Sequence, residues 1–590
     1  MSILVDTVRI AGFRSLRNVE IELSPVTVLV GMNNSGKSSF LKALHLALGT
    51  DRRTISGDDF HVSGEEPAGS GEGRIVVDIR IVPVDKKGGR IDEFGDAWIN
   101  TELGGDLVNF DSDSRQYVGI RTRVQFDALR NDYTIQRFSL NGWDDFGTWL
   151  ETPEKKRLRG RFDQVVAFLI DAQRDVVIDL KTRTSYIGRL LSKVEIPPED
   201  VKEIEERLNQ LNADIVGGSD VLSHLRESLS GLGKTVPSHD TGVEITPVSK
   251  RLRDITRGLD LQFAAGEVSS FPLDHHGMGT RSWASLLTYQ AYVSWLEKQA
   301  SKDKGTPYHP VLLLEEPEAH LHPNAQRSIY AQLGQSIGQK IISTHSPYVA
   351  AQADLGELRN FHKVGADTRV DSLAVADIAD DDCRKIRREV MHTRGELLFA
   401  RAVVLFEGET EEQALPVLAQ AHWGEEPFGR GVVFVGVGGD GNYLPFLRVA
   451  LSMGVPWFIF SDGQPKAVAA VEKAIGGVGL ALADSPVVML PNGHSIEQYL
   501  IAQGCQAEVK QAVINCEAPG FANDRHREAK EREVAAWSDE ALLNYMKNHK
   551  TKLSPHWASA IEARPPAAIR QLFALIDAVL NPPTETTDES

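Results

Sequence analysis

Hydrophobic positions near the start of the chain come in short runs separated by polar turns. Val5 to Ile10 and Val19 to Leu23 read as strands, and Val26-Thr27-Val28-Leu29-Val30 reads as a third, buried one. Ile75 to Val82 alternates or runs apolar, and turns such as Lys87-Gly88-Gly89 come after it, so residues 74–150 predict a β-rich lobe. Residues 155–170 read as helix. Val201, Ile204, Leu208 and Leu211 recur at helical spacing with charges between them, and looser repeats reach Leu259. That pattern predicts a compact helical hairpin, suited to a dimer arm and too short for a long coiled coil. Further buried-strand runs are Pro310 to Leu314, Lys340 to Ser343, Ala402 to Phe406, Gly431 to Val437, Trp457 to Ser461 and Val487 to Leu490. Strands alternating with helical stretches predict an α/β protein.

The segment after the third strand carries chemistry. Gly31-Met32-Asn33-Asn34-Ser35-Gly36-Lys37-Ser38 fits G-x-x-x-x-G-K-[ST] without a mismatch, and Ser39 to Leu44 reads as the helix it opens. In this strand–loop–helix context the backbone of Gly31, Asn33, Asn34, Ser35, Gly36 and Ser39 can close around phosphate oxygens. Lys37 would reach the β- and γ-phosphates of ATP, Ser38 would hold Mg²⁺, and the helix N-terminus adds its positive dipole end. Pro310 to Leu314 ends in Glu315 and Glu316, a Walker-B arrangement that aims carboxylates at Mg²⁺ and at the attacking water. Glu315 stands where Asp is usual, and Glu316 is the candidate base for ATP hydrolysis. His345, closing the next strand, is a candidate γ-phosphate sensor. His320 with His322, and His275 with His276, lack a third ligand and do not predict a metal.

Bulk properties bound the rest. The 590 residues allow two to four domains, and 42% hydrophobic with 25% charged residues is ordinary globular composition. The formal charge is −18, from 64 basic and 82 acidic residues, so any nucleic-acid contact must be a local basic patch or metal-mediated. Three scattered cysteines, Cys383, Cys505 and Cys516, suggest neither a disulfide framework nor a zinc site. Met1 to Ile10 has no signal-peptide core, and no apolar run approaches roughly 18 residues. A soluble cytoplasmic protein is expected.

The second half gathers acids at strand ends. Ala402 to Phe406 runs into Glu407-Gly408-Glu409-Thr410-Glu411-Glu412, Trp457 to Ser461 into Asp462, and Val487 to Leu490 is followed by Glu497. Acids that close several strands of a β/α unit can meet at the sheet's carboxyl edge. An all-oxygen set of this kind suits Mg²⁺ or Mn²⁺.

Gly277-Met278-Gly279-Thr280-Arg281-Ser282 resembles the signature motif of ABC-type ATPases in degenerate form; Glu318-Ala319-His320-Leu321-His322-Pro323 resembles their D-loop, and Gln173 a Q-loop glutamine. The resemblance implies that Gly279 and Ser282 meet ATP bound by a second chain, hence a homodimer through the ATPase half. The later acids resemble the Toprim fold, and an ABC-type ATPase followed by Toprim resembles the OLD (overcoming lysogenization defect) family, its class 2 members above all, with Gabija-type defence nucleases as relatives. The implied layout is an ATPase first half over 1–180, a helical dimerisation insert over 181–260, an ATPase second half over 261–390, Toprim over 391–580 and a disordered tail over 581–590. Glu407, Glu411, Asp462 and Glu497 would then hold two divalent ions, with Lys550 or Lys552 as the family's late lysine. The implied function is an ATP-regulated, metal-dependent DNA endonuclease, in phage defence or DNA repair, with a helicase-like partner protein as in Gabija-type systems. One departure stands out: the second acid of the family's D-x-D is Gln464, which offers a carbonyl oxygen but no charge. A non-nucleolytic ATP-operated DNA clamp or sensor is the alternative. Topoisomerase and primase fit less well, for lack of a catalytic tyrosine context or zinc-ribbon cysteines.

Overall fold

A computed structural model describes residues 2–49, 55–62, 73–100, 103–127, 129, 131–158, 162–182, 184–191, 198–223, 262–263, 271–302, 306–439 and 442–581. The chain forms two compact units, one of residues 1–169, 311–318 and 323–590, the other of 170–310 and 319–322. Among the described residues no helix is long and apolar enough to cross a membrane.

Among the described residues the larger unit contains three sheets. The first is antiparallel, in the order β2 (Leu16–Glu22), β1 (Ile3–Phe13), β4 (Ile75–Pro83), β6 (Gln116–Asp127), β7 (Asp132–Leu140) and β8 (Glu154–Leu158), with β5 (Val108–Phe110) on β6. Alternation divides its faces: Val77, Ile79, Ile120 and Val124 join Phe40, Leu41 and Leu44 in one apolar core. On the other face Arg121 and Asp78 are cross-strand partners, 5% and 1% exposed. Their bidentate contacts are 2.8 and 2.7 Å, and the guanidinium also donates to the carbonyls of Trp149, Leu150 and Thr152. The helix expected over 155–170 is instead β8 followed by β9 (Val165–Ile170). Val165 to Ile170 is a continuous apolar run of strand length with β-branched residues, which suits a buried strand better than an amphipathic helix.

The second sheet holds β3 (Val26–Val30) at its centre, in the order β15-β14-β3-β13-β12-β9, where β12 is His309–Glu315, β13 Gln339–Ser343, β14 Leu358–Val364 and β15 Asp367–Asp371. Strands β12, β13, β3 and β14 run parallel to one another, and β15 turns back on β14 as an antiparallel hairpin. The third sheet is wholly parallel, in the order β17 (Val432–Gly436), β16 (Ala402–Phe406), β18 (Trp457–Ser461), β19 (Val487–Met489). Helices from 496 onward bury Leu500, Val513, Trp557, Ile569 and Phe573 against it. The order reverses between β16 and β18, and open parallel sheets bind ligands outside the carboxyl ends at such a point.

The smaller unit is helical, with Val176–Lys181, Tyr186–Leu191, Pro198–Gly217 and Met278–Lys302, plus a short antiparallel pair, β10 (Gln262–Phe263) and β11 (Phe271–Pro272). Tyr186 packs edge-on against Tyr289, 4.8 Å between ring centres. Asp175 caps Val176–Lys181 and holds Arg281 through both of its oxygens. Pro198–Gly217 is one helix of the expected arm; the remainder, 224–261, lies outside the described residues, as does most of the expected tail, 582–590.

Removing one member of a dry ion pair strands the other. Asp78→Ala should therefore cost about 3–5 kcal/mol, seen as a lower denaturation midpoint, whereas replacing Asp78 and Arg121 together by packing apolar residues should recover most of it.

Candidate nucleotide and carboxylate sites

The phosphate-binding loop is shaped by its glycines. Gly31 and Gly36 have φ +122° and +110°, and a Cβ on Gly31 would stand 2.1 Å from the carbonyl oxygen of Phe361 on β14. Only glycine lets the loop lie on that strand. Gly36 precedes the helix Lys37–Leu48, which starts where the motif requires. Lys37 is 4% exposed and donates to the carbonyls of Gly31 and Met32, both at 2.7 Å, and to Ser35 Oγ at 3.3 Å. Burial brings its pKa down to about 8, opposed by the carboxylate of Glu316. Asn33 and Asn34 are exposed at the loop's tip; Ser38 and Ser39 are half-buried in the first helical turn.

Glu315 ends β12, and Glu316 follows in a left-handed conformation, φ +43°, with its N–H on the carbonyl of Ser343 at 2.9 Å. That turn sets the Glu316 carboxylate 3.8 Å from His345 Nε2. Burial, with the Lys37 charge second, lowers the His345 pKa to about 4, so the ring is neutral near pH 7. Glu318 is legible in the sequence only as part of a D-loop-like block, yet its Oε1 accepts from Thr344 Oγ1 at 2.5 Å and from the His345 N–H at 3.0 Å. It fixes the backbone that carries His345.

In the helical unit, a Cβ on Gly279 would stand 2.6 Å from the His320 carbonyl oxygen, so glycine permits the close packing there. Ser282 lies one turn further into Met278–Lys302 and is fully buried, its hydroxyl without a hydrogen-bond partner among the described residues. The side chain that the sequence marks for a contact across a dimer is thus turned inward, while Gln173 is exposed.

Glu407, Glu411, Asp462 and Glu497 line one cavity of about 400 Å³ at the carboxyl edge of β16 and β18, shared with Gln464, Lys547 and Lys550. Parallel pairing of Leu405 with Ile459 makes the two strand ends neighbours, so Glu407 and Asp462 emerge side by side. A Cβ on Gly408 would stand 2.1 Å from Glu411 Oε2 and push that carboxylate aside, and Gly463 is required because a Cβ there would stand 1.9 Å from the Leu490 carbonyl oxygen. Glu497 is 3% exposed and takes Thr410 Oγ1 on Oε1 at 2.9 Å and Ser495 Oγ on Oε2 at 2.8 Å; Lys550 Nζ stands 3.8 Å from Oε1. Asp462 Oδ1 accepts the Ile496 N–H at 3.0 Å.

Of the two late lysines, Lys550 reaches this cavity. Lys552 is exposed outside its lining, and its carbonyl accepts from Cys516 Sγ. Lys547, which the sequence does not single out, lies in the last turn of the helix Asp539–Asn548, and Lys550 opens the next helix, Lys550–Ile561, so the cavity draws one lysine from each side of the break at His549.

Burial, then the charges of Asp462 and Glu497, push Glu411 up to about 8. Burial, then Glu497, push Asp462 up to about 6. Among the described residues no three acids, histidines or cysteines already form a closed metal cage. The donor set nevertheless fits a hard divalent cation: its ligands are all oxygen, and the charged forms of two of them, Glu411 and Asp462, are disfavoured by burial and by neighbouring carboxylates that a cation would offset. A raised carboxylate pKa stabilises the fold below the unfolded value, near 4.5, and that stability is lost as pH rises through the folded value. In chelator, Glu411→Gln should therefore melt higher than the unsubstituted protein at pH 8.5, by about 2 °C or more, with the gap closing toward pH 5. Differential scanning calorimetry at both pH values checks this.

Known proteins divide in the same way. Residues 4–109 and 163–350 match the AAA ATPase domain, and residues 398–463 match the TOPRIM domain described as overcoming lysogenization defect protein-like. The Old nuclease of Escherichia phage P2 is 24% identical over 494 residues, 78% of this chain and 77% of that protein. The OLD nuclease of Thermus scotoductus is 23% identical over 516 residues, 78% of this chain and 82% of that protein. Endonuclease GajA of Bacillus cereus is 22% identical over 428 residues, 69% and 66% of the two chains. With a match to the AAA ATPase domain in its first half and to the OLD-like (overcoming lysogenization defect protein-like) TOPRIM domain in its second, the chain is similar in domain order, and over 78% of its length, to the OLD nucleases.

Proposed function

We propose that the protein is an ATP-regulated, divalent-metal-dependent DNA endonuclease, with nucleotide bound by residues 1–180 and 261–390 and phosphodiester cleavage carried by 391–580. The observation that carries this reading is the meeting of Glu407, Glu411, Asp462 and Glu497 with three lysines, Lys466, Lys547 and Lys550, in one cavity at a sheet's carboxyl edge. The printed names of the relatives, two nucleases and an endonuclease, support it.

In this mechanism Glu407, Glu411 and Asp462 hold Mg²⁺ or Mn²⁺, and Glu497 stands behind them. Both Glu497 oxygens already accept hydroxyl protons, which suits it to orienting the set. The bound cation supplies positive charge for the phosphodiester and lowers the pKa of the attacking water. Lys550 and Lys547 offset the charge that develops on the phosphate oxygens. Water attacks phosphorus, the bond to the 3′-oxygen breaks, and that oxygen takes a proton. In the other half Lys37 leaves the Gly31 and Met32 carbonyls for the β- and γ-phosphates, and Ser38 and Glu315 hold Mg²⁺. Glu316 orients the water for ATP hydrolysis, and His345, neutral, donates to the γ-phosphate. A homodimer closed on ATP gives the regulation.

Plasmid cleavage in Mg²⁺, Mn²⁺ or EDTA, with and without ATP, is the direct test. Cutting should need metal and fall to background in Glu407→Ala. Absence of cutting in every metal, with ATP turnover intact, would turn the reading to a DNA clamp or sensor. Lys550→Ala should slow cutting by about 10²-fold, the cost of one preorganised donor, while Lys552→Ala stays near the unsubstituted rate. Gln464→Asp adds a charged ligand to the cavity and should lower the Mn²⁺ concentration giving half-maximal cutting.

A further inference from the structure

A single buried amide joins the phosphate-binding loop to the carboxylate domain. Asn360, on β14, is 2% exposed and stands in register with Val30, the residue before Gly31. Its Nδ2 donates to the carbonyl of Met453 at 2.6 Å. Its Oδ1 is buried, without a hydrogen-bond partner among the described residues, and lies 3.1 Å from where a Cβ on Gly31 would begin. The same side chain therefore touches the loop on one side and the carboxylate domain on the other.

Met453 directly follows the helix Tyr443–Ser452, and Gly454 clamps that end. Gly454 has φ +62°, and a Cβ there would stand 2.3 Å from Asp371 Oδ2 and 2.6 Å from His362 Cε1, both on the β14–β15 hairpin. Arg448, on the helix, holds Asp382 at 2.6 Å. Phe446, Leu447, Val449 and Ala450 are buried, so the helix is packed along its length of about 15 Å. Its first residue, Tyr443, is fully buried, with its hydroxyl next to Ser461, the residue before Asp462. That hydroxyl lies in the field of Glu407, Glu411 and Asp462.

We propose that Tyr443–Ser452 is a strut through which nucleotide at the loop adjusts the carboxylate cavity, with Asn360 and Tyr443 as its positioning residues at either end. The two-state element is Lys37, whose ammonium holds the Gly31 and Met32 carbonyls and must release them to reach phosphate. Release loosens Gly31 against Asn360. Because Asn360 is bonded to the end of a packed helix, the shift is delivered at Tyr443, beside the acids. Packed elements with two discrete arrangements transmit such shifts, and the coupling is reciprocal for binding.

The inference rests on the nuclease reading for one of its two readouts. Asn360→Leu keeps the volume and removes both amide atoms. Its KM for ATP should stay within about twofold of the unsubstituted value, while the ratio of cleavage rates with and without a non-hydrolysable ATP analogue collapses toward one from a coupling of about fivefold or more. A folded Asn360→Leu that keeps the full ratio overturns the strut. The second readout needs no cleavage: hydrogen exchange over residues 443–454 of the unsubstituted protein, with and without the analogue. Altered protection supports the strut even if no DNA is cut, in which case only the nuclease reading falls, or if Asn360→Leu fails to fold. Unchanged exchange there overturns it whatever the DNA assay gives.

Discussion

Four carboxylates are held at one sheet edge against their mutual repulsion, and much of the C-terminal half serves to keep them there. Parallel pairing of β16 with β18 ends two strands side by side, so Glu407 and Asp462 cannot separate without breaking the sheet. Gly408 removes the side chain that would displace Glu411, and Gly463 lets the chain after β18 pass against Leu490. Thr410 and Ser495 commit their hydroxyls to Glu497. Desolvation works against the charged forms, which is why Glu411 is pushed up to about 8. A core that continues from Val404, Phe406 and Phe458 into Trp557, Ile569 and Phe573 supplies the apolar burial that offsets this local cost.

The nucleotide end obeys a different constraint, close backbone approach rather than charge. Gly31 is pressed onto β14 so tightly that no side chain fits, and Thr368 Oγ1 reaches the carbonyls of Ser15 and Ser35 at 3.0 and 3.1 Å. The loop is held from below by the same hairpin that receives Gly454. The β14–β15 hairpin therefore contacts both the loop that carries Gly31 and the Met453–Gly454 end of the helix Tyr443–Ser452.

Local signals are legible in the sequence and tertiary ones are not. The phosphate loop, the Glu315-Glu316 strand end and the Glu407 and Asp462 strand ends can be read because each depends on a few adjacent residues in one element. Residues 155–170 read wrongly as helix because a short apolar run has no periodicity that separates a buried strand from a buried helix. Ser282 matches a motif by position, but which way a helical residue faces is set by what packs on it, and here the hydroxyl faces inward. Lys547 gives no sign of its role because its place in the cavity depends on a helix register that the local charge pattern does not announce. The Asn360 bond to Met453 spans 93 positions and has no sequence signature at all.

The acidity of the chain, −18 overall, argues against DNA only if charge is averaged over the surface. Locally the balance differs. Lys466, Lys547 and Lys550 line the same cavity as the four acids, and two of those acids have pKa values displaced upward, so the cavity carries less negative charge near neutral pH than its composition implies. A divalent cation there exchanges for protons and adds positive charge at the point where phosphate must approach. Under the proposed endonuclease reading, metal loading would decide whether a polyanion enters here, and affinity for DNA would be a property of the loaded site rather than of the protein's net charge.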